Sequence, residues 1–112
     1  MIFNLNGEQV GRFPEGKIEE EGSVPILLRR YPNLMCDLSD YTPIAALSRD
    51  MEYTKKFLAE FQDRLFFGTD LCSVGMDVPQ VRFFDGLLKD GIITEEIYQK
   101  LSHKNAERVL EL

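Results

Sequence analysis

The stretch Asp63-Arg64-Leu65-Phe66-Phe67-Gly68-Thr69-Asp70-Leu71-Cys72-Ser73 decides the fold class. Its short apolar run, Leu65-Phe66-Phe67, stops abruptly at Gly68-Thr69-Asp70. That pattern fits a buried parallel strand delivering a carboxylate to the carboxyl end of a sheet, where α/β proteins place their chemistry. One carboxylate is part of an active site and not the whole of one, so the neighbouring segments must show where the other parts lie.

Upstream, Leu34-Met35-Cys36-Asp37-Leu38 reads as a second short buried strand. Between the two lie Thr42-Pro43, a cap followed by a first-turn proline, and a short helix through Ala45, Ala46 and Leu47. Asp50 is placed to cap a longer helix, Met51 to Phe61, with Tyr53, Phe57 and Phe61 on one face. Strand, helices, strand is a βαβ unit, and its strands should be parallel. Both strands read as buried on two faces.

Working outward, Val24, Leu27, Leu28 and Tyr31 recur at helical spacing, with Ser23 as candidate N-cap and Pro32 as the stop. Residues 71–78 read as a loop. Pro79 to Lys89 reads as a helix with Gly91 at C′. Thr94 caps a helix carrying Ile97, Tyr98 and Leu101, and Asn105 to Leu110 forms a separate last helix. Residues 1–22 are irregular. Asn6-Gly7 is a hairpin signal, but Gly11, Pro14 and Gly16 fit an extended loop equally well. The division expected is therefore an N-terminal segment, 1–22, and a body, 23–112.

Composition bounds the function. The chain has 112 residues, enough for one domain, and 44% of them are hydrophobic, enough for a core. Thirteen Lys and Arg against 19 Asp and Glu leave a net charge of −6, and no basic cluster tracks a phosphate backbone, so nucleic acid is not an expected partner. No apolar stretch approaches the ~20 residues of a membrane helix. Residues Met1 to Asn4 lack the charged and apolar regions of a signal peptide, which points to the cytoplasm. Cys36 and Cys72 fit free thiols in a reducing compartment, although strand neighbours could bring them together. They are not spaced as a metal clip, and the single histidine, His103, does not complete one.

The same residues resemble a known family. Tyr31-Pro32-Asn33-Leu34-Met35-Cys36-Asp37-Leu38-Ser39 resembles the seventh strand of the metal-dependent amidohydrolases, in their amidohydrolase-2 branch. Gln62 to Asp70 resembles the eighth, with its Gly-Thr-Asp ending, and His103-Lys104-Asn105-Ala106-Glu107-Arg108-Val109-Leu110 resembles the closing Asn-Ala-x-Arg helix. The resemblance runs from about Gly22 to Leu112. It implies a (β/α)₈ barrel that hydrolyses or decarboxylates a small substrate with one divalent metal, commonly zinc. It makes Asp70 the metal-site carboxylate, which binds the ion weakly or takes the proton of its water.

The His-x-His pair and the other histidines of that family have no counterpart here, since no histidine precedes His103. Asp70 alone does not hold a catalytic metal, because such sites use about three protein ligands. The expected fold is α/β: two parallel strands and four to six helices, about the last two βα units of a barrel, completed by oligomerisation. The expected activity of this chain alone is none. A different class of function also fits the residues: a small α/β module that assembles through open sheet edges without catalysis. Read without the resemblance, Asp70 is a helix N-cap or a loop carboxylate, and Asp37, Ser39 and Asp40 are turn and cap residues.

Overall fold

The computed structural model describes residues 15–112, and its first regular element is helix α1, Ser23–Arg30. The hairpin signal at Asn6-Gly7 lies outside the described residues. Residues 15–22 contain bends and a β-bridge position at Glu21 but no helix, and the Ile18 amide donates to Asp50 Oδ2 at 3.2 Å. Gly22, not Ser23, stands at the N-cap of α1, so the N-cap supplies no side-chain hydrogen bond to the first turn. The helix stops at Tyr31, whose extended backbone precedes Pro32, as the steric conflict between proline and a preceding helical residue requires.

Strand β1 is Cys36–Asp37 and strand β2 is Leu65–Phe66. They pair in parallel, Cys36 beside Leu65 and Asp37 beside Phe66. The βαβ reading holds: helices α2, Tyr41–Leu47, and α3, Met51–Phe61, lie between the strands. The protein is thus α/β with one two-stranded parallel sheet among the described residues.

The strands are shorter than expected and are not buried on both faces. Leu38 and Leu65 are fully buried, whereas Met35 and Asp37 are exposed. Side chains alternate across a strand, so Cys36 and Leu38 turn toward one face and Met35 and Asp37 toward the other. Among the described residues, helices cover only the first. The core beneath it includes Leu28, Leu47, Phe57, Leu58, Phe61, Phe84 and Leu101. Burying side chains of this size stabilises by about 1.5–3 kcal/mol each. Tyr53, Phe57 and Phe61 are part of this packing, with ring centroids 6.4 and 5.0 Å apart.

Local signals fix several helix ends. Asp50 accepts the Tyr53 amide at 3.2 Å and Thr94 accepts the Ile97 amide at 3.2 Å, both as N-caps. Helix α2 begins at Tyr41, ahead of the expected Thr42 cap, because Asp40 takes φ +69° and turns the chain early. Helix α4, Gln80–Lys89, ends in a Schellman motif. The Ile92 amide bonds the Leu87 carbonyl at 2.9 Å and the Gly91 amide bonds Leu88 at 3.1 Å, with Gly91 at φ +73°.

The last two expected helices are one continuous run. Helix α5, Glu95–Gln99, passes through a π-helical turn, Lys100–Lys104, into α6, Asn105–Leu110. Nothing in the side-chain pattern marks the π turn, since it arises from a backbone contact with β2 that is far away in sequence.

Candidate active site at the strand ends

The carboxyl ends of β1 and β2 carry the residues singled out for chemistry: Asp37, Ser39 and Asp40 after β1, and Thr69 and Asp70 after β2. Asp37 folds back on its own loop, and its Oδ1 accepts the Ser39 amide at 2.7 Å. This is the turn role that aspartate commonly plays. Gly68 runs directly against that turn. A Cβ at Gly68 would lie 2.8 Å from Asp37 Oδ1 and 2.9 Å from Ser39 Cβ, so only glycine lets the two strand ends approach this closely.

Two residues beyond Gly68, Asp70 takes φ +55° and leaves its side chain exposed. Thr69 Oγ1 accepts the Leu71 amide at 3.3 Å and helps the turn. Helix α4 begins only at Gln80. Asp70 is therefore a loop carboxylate and caps no helix. A non-glycine residue in this left-handed region is uncommon, and aspartate is among the side chains that tolerate it best.

Sequence reasoning missed Gln80. The side chain is fully buried, and its Nε2 donates to the carbonyl of Asp40 and, at 3.5 Å, to that of Leu38. It ties the start of α4 to the loop after β1. Its Oε1 is buried without a hydrogen bond. No local motif announces such a residue, because a buried glutamine looks like a surface helix residue until the fold places it.

None of the other titratable candidates joins the rim carboxylates in a metal-binding group among the described residues. His103 sits in the π-helical turn, Nδ1 2.8 Å from Glu107 Oε1 and Nε2 2.7 Å from Gln99 Oε1. Cys36 is half-buried, and burial pushes its thiol pKa up, away from the reactive thiolate. Cys72 is exposed, with its Sγ 3.7 Å from Met76 Sδ. Both cysteines are free thiols. Arg29 bridges Glu21 and Glu60, and the Arg29 hydrogen bond holds the Glu21 carboxyl below its ordinary range. That cluster braces α1 against α3.

A resident catalytic zinc does not fit these residues. Among the described residues, no group of three His, Cys, Asp or Glu side chains is arranged to hold a metal ion. One Asp37 oxygen is engaged with the Ser39 amide, and Asp70 has no histidine beside it in the sequence. The rim can supply a carboxylate to a site and hold it at the end of a rigid strand pair.

A cleft of about 240 Å³ opens elsewhere, between α4 and the terminal helical run, lined by Phe67, Val81, Phe84, Tyr98, Leu101 and Ser102. It contains none of the rim carboxylates. No helix among the described residues is long and apolar enough to cross a membrane. No family model, no curated protein and no solved structure matches the chain.

Proposed function

We propose that this chain is the C-terminal part of a metal-dependent, amidohydrolase-type hydrolase, its last two βα units, and that it is catalytically silent by itself. The observation that carries the reading is the rim: a parallel β1–β2 pair with Asp70 free at the carboxyl end of β2. That is where α/β enzymes gather catalytic side chains. An exposed carboxylate at φ +55° that caps no helix has no evident structural duty. Backbone strain of this kind is concentrated at functional sites. Asp70 is the residue that would serve a completed site, with its other ligands from outside the described residues. The substrate would be a small molecule, and the setting the cytoplasm, without nucleic-acid or membrane partners.

Equilibrium dialysis against zinc, with wild type and Asp70→Asn side by side, tests this. The reading predicts no tight stoichiometric zinc and no hydrolysis of a simple ester by either protein. One zinc per wild-type chain, lost with hydrolysis in the variant, would sink the claim of a silent fragment.

A second reading, a homo-oligomerising α/β module without catalysis, is favoured by the uncovered face of the sheet. Met35 is exposed beside β1, and Leu71 and Val74 project from the rim loop. Apolar surface of this kind marks association sites when it is contiguous. Light scattering over a concentration series separates the two. A dimer or larger species disrupted by Met35→Glu supports the module, and a monomer throughout removes it.

A further inference from the structure

Among the described residues, strand β2 has a strand neighbour on one side only, yet its other side is not bare. In a parallel pair, successive residues turn their backbone groups to opposite sides. The Cys36 amide donates to the Arg64 carbonyl at 2.9 Å and the Leu38 amide to the Phe66 carbonyl at 2.8 Å. Arg64 and Phe66 therefore face β1, and Leu65 and Phe67 face away.

One outward group of each residue is bonded to the terminal helical run. The Phe67 amide donates to the Leu101 carbonyl at 2.9 Å. The Leu65 carbonyl accepts from Asn105 Nδ2 at 2.9 Å, and the same nitrogen bonds the Gln62 carbonyl at 2.6 Å. Asn105 is fully buried, and its Oδ1 accepts from Arg108 Nη1 at 3.3 Å.

The π-helical turn explains why Leu101 is available. In an α-helix the Asn105 amide would take the Leu101 carbonyl. Here it bonds the Lys100 carbonyl, one residue further back. The carbonyl so released points at β2 and accepts from Phe67. One helical acceptor and one buried side-chain donor thus replace the neighbouring strand that an open edge invites.

We propose that the run Glu95–Leu110 is an edge lock, with Asn105 as its positioning residue. It keeps β1 of a second copy from adding to β2. The chain carries both halves of such a contact. The outward amide and carbonyl of Asp37 point away from β2, and among the described residues β1 has no other strand beside it. A second β1 laid along β2 would repeat the β1–β2 pairing head to tail, and a contact of that kind does not close. The lock leaves association through other faces untouched, but a strand laid beside β2 to close a barrel would have to displace it, so a confirmed lock counts against completion of a barrel at this edge.

Residue-resolved hydrogen exchange tests the lock without any variant. The Phe67 amide should exchange at least 100-fold more slowly than the amides of loop 71–78. An equal rate would overturn the lock. Asn105→Ala should speed Phe67 exchange at least tenfold while helical circular dichroism persists. It should also yield species that grow with concentration and exceed the wild-type size. Fast exchange at Phe67 with no larger species would overturn the role against head-to-tail addition. Where Asn105→Ala fails to fold, Arg108→Ala loosens the same side chain more gently. It should shift Phe67 exchange and assembly in the same direction, and no change in either would count against the lock.

Discussion

The rim loop Gly68–Ser73 and the terminal run Glu95–Leu110 both adjoin β2, and they treat it in opposite ways. The loop leaves β2 at Gly68 and exposes Asp70. The terminal run grips the strand through Asn105 and the Leu101 carbonyl, both committed to β2 backbone groups. One region leaves a carboxylate exposed, with no partner among the described residues. In the other, a buried amide has every contact assigned. The contrast teaches that β2 is anchored along its edge and presents its carboxyl end, which is how a scaffold holds a residue for chemistry.

Substitutions separate the two regions by size of effect. Leu101→Ala should be among the most damaging single changes on the terminal side, because the side chain is buried against the core. A loss of about 3 kcal/mol in urea unfolding is expected for a leucine truncated in such a site. A loss below about 1 kcal/mol would mean that the run is only loosely docked, and the contrast would fade.

Gly68→Ala comes next, at about 2 kcal/mol, since forcing extra atoms into a packed contact typically costs that much. The new methyl would collide with Asp37 Oδ1. The double variant Gly68→Ala with Asp37→Ala should recover part of the loss, and no recovery would show that the approach of the strand ends is not what limits this position.

Thr94→Ala removes the cap of the terminal run and should cost about 1 kcal/mol. Its effect on hydrogen exchange should be confined to residues 95–110 and the Phe67 amide. Acceleration at Asp70 and Leu71 instead would show that the two regions move together.

The smallest effect lies in the acid limb. The Ile18 amide, followed by the Tyr53 amide, holds the Asp50 carboxyl below its ordinary range. A lowered folded-state pKa contributes stability that is present above the unfolded value, about 3.9, and is lost as pH falls through the folded value. Tm measured between about pH 5 and pH 2 should therefore fall less steeply in Asp50→Asn, which keeps the cap but does not titrate. An unchanged slope would assign acid sensitivity to other carboxylates.

The sequence made some of this legible and hid the rest for physical reasons. The βαβ order, the Asp50 and Thr94 caps and the Gly91 terminus rest on residues within a few positions of each other, so a local pattern reveals them. Asp37 was readable as a turn residue for the same reason. The terminal run was not, because its π turn depends on Leu101 meeting Phe67 across 34 positions. Asn105 stood out only as part of a resemblance, and nothing local showed that its amide closes a strand edge. Gln80 was silent for the same cause. The strands were read as doubly buried because Leu34 to Leu38 and Leu65 to Phe67 are nearly all apolar. The fold covers one face and leaves Met35 exposed.

The most direct test of the account is a paired unfolding measurement of Asp70→Asn and Asn105→Ala. Asparagine tolerates the left-handed backbone at Asp70, so the first change removes the charge alone. The account predicts a change within about 0.5 kcal/mol for Asp70→Asn, as for a surface residue without structural duty. It predicts a loss of about 3 kcal/mol for Asn105→Ala, which leaves one buried and one part-buried carbonyl without their donor. A large loss at Asp70 with little change at Asn105 would contradict it. Asp70 would then be a structural loop residue, and its reading as a carboxylate held free for a catalytic site would lose its support.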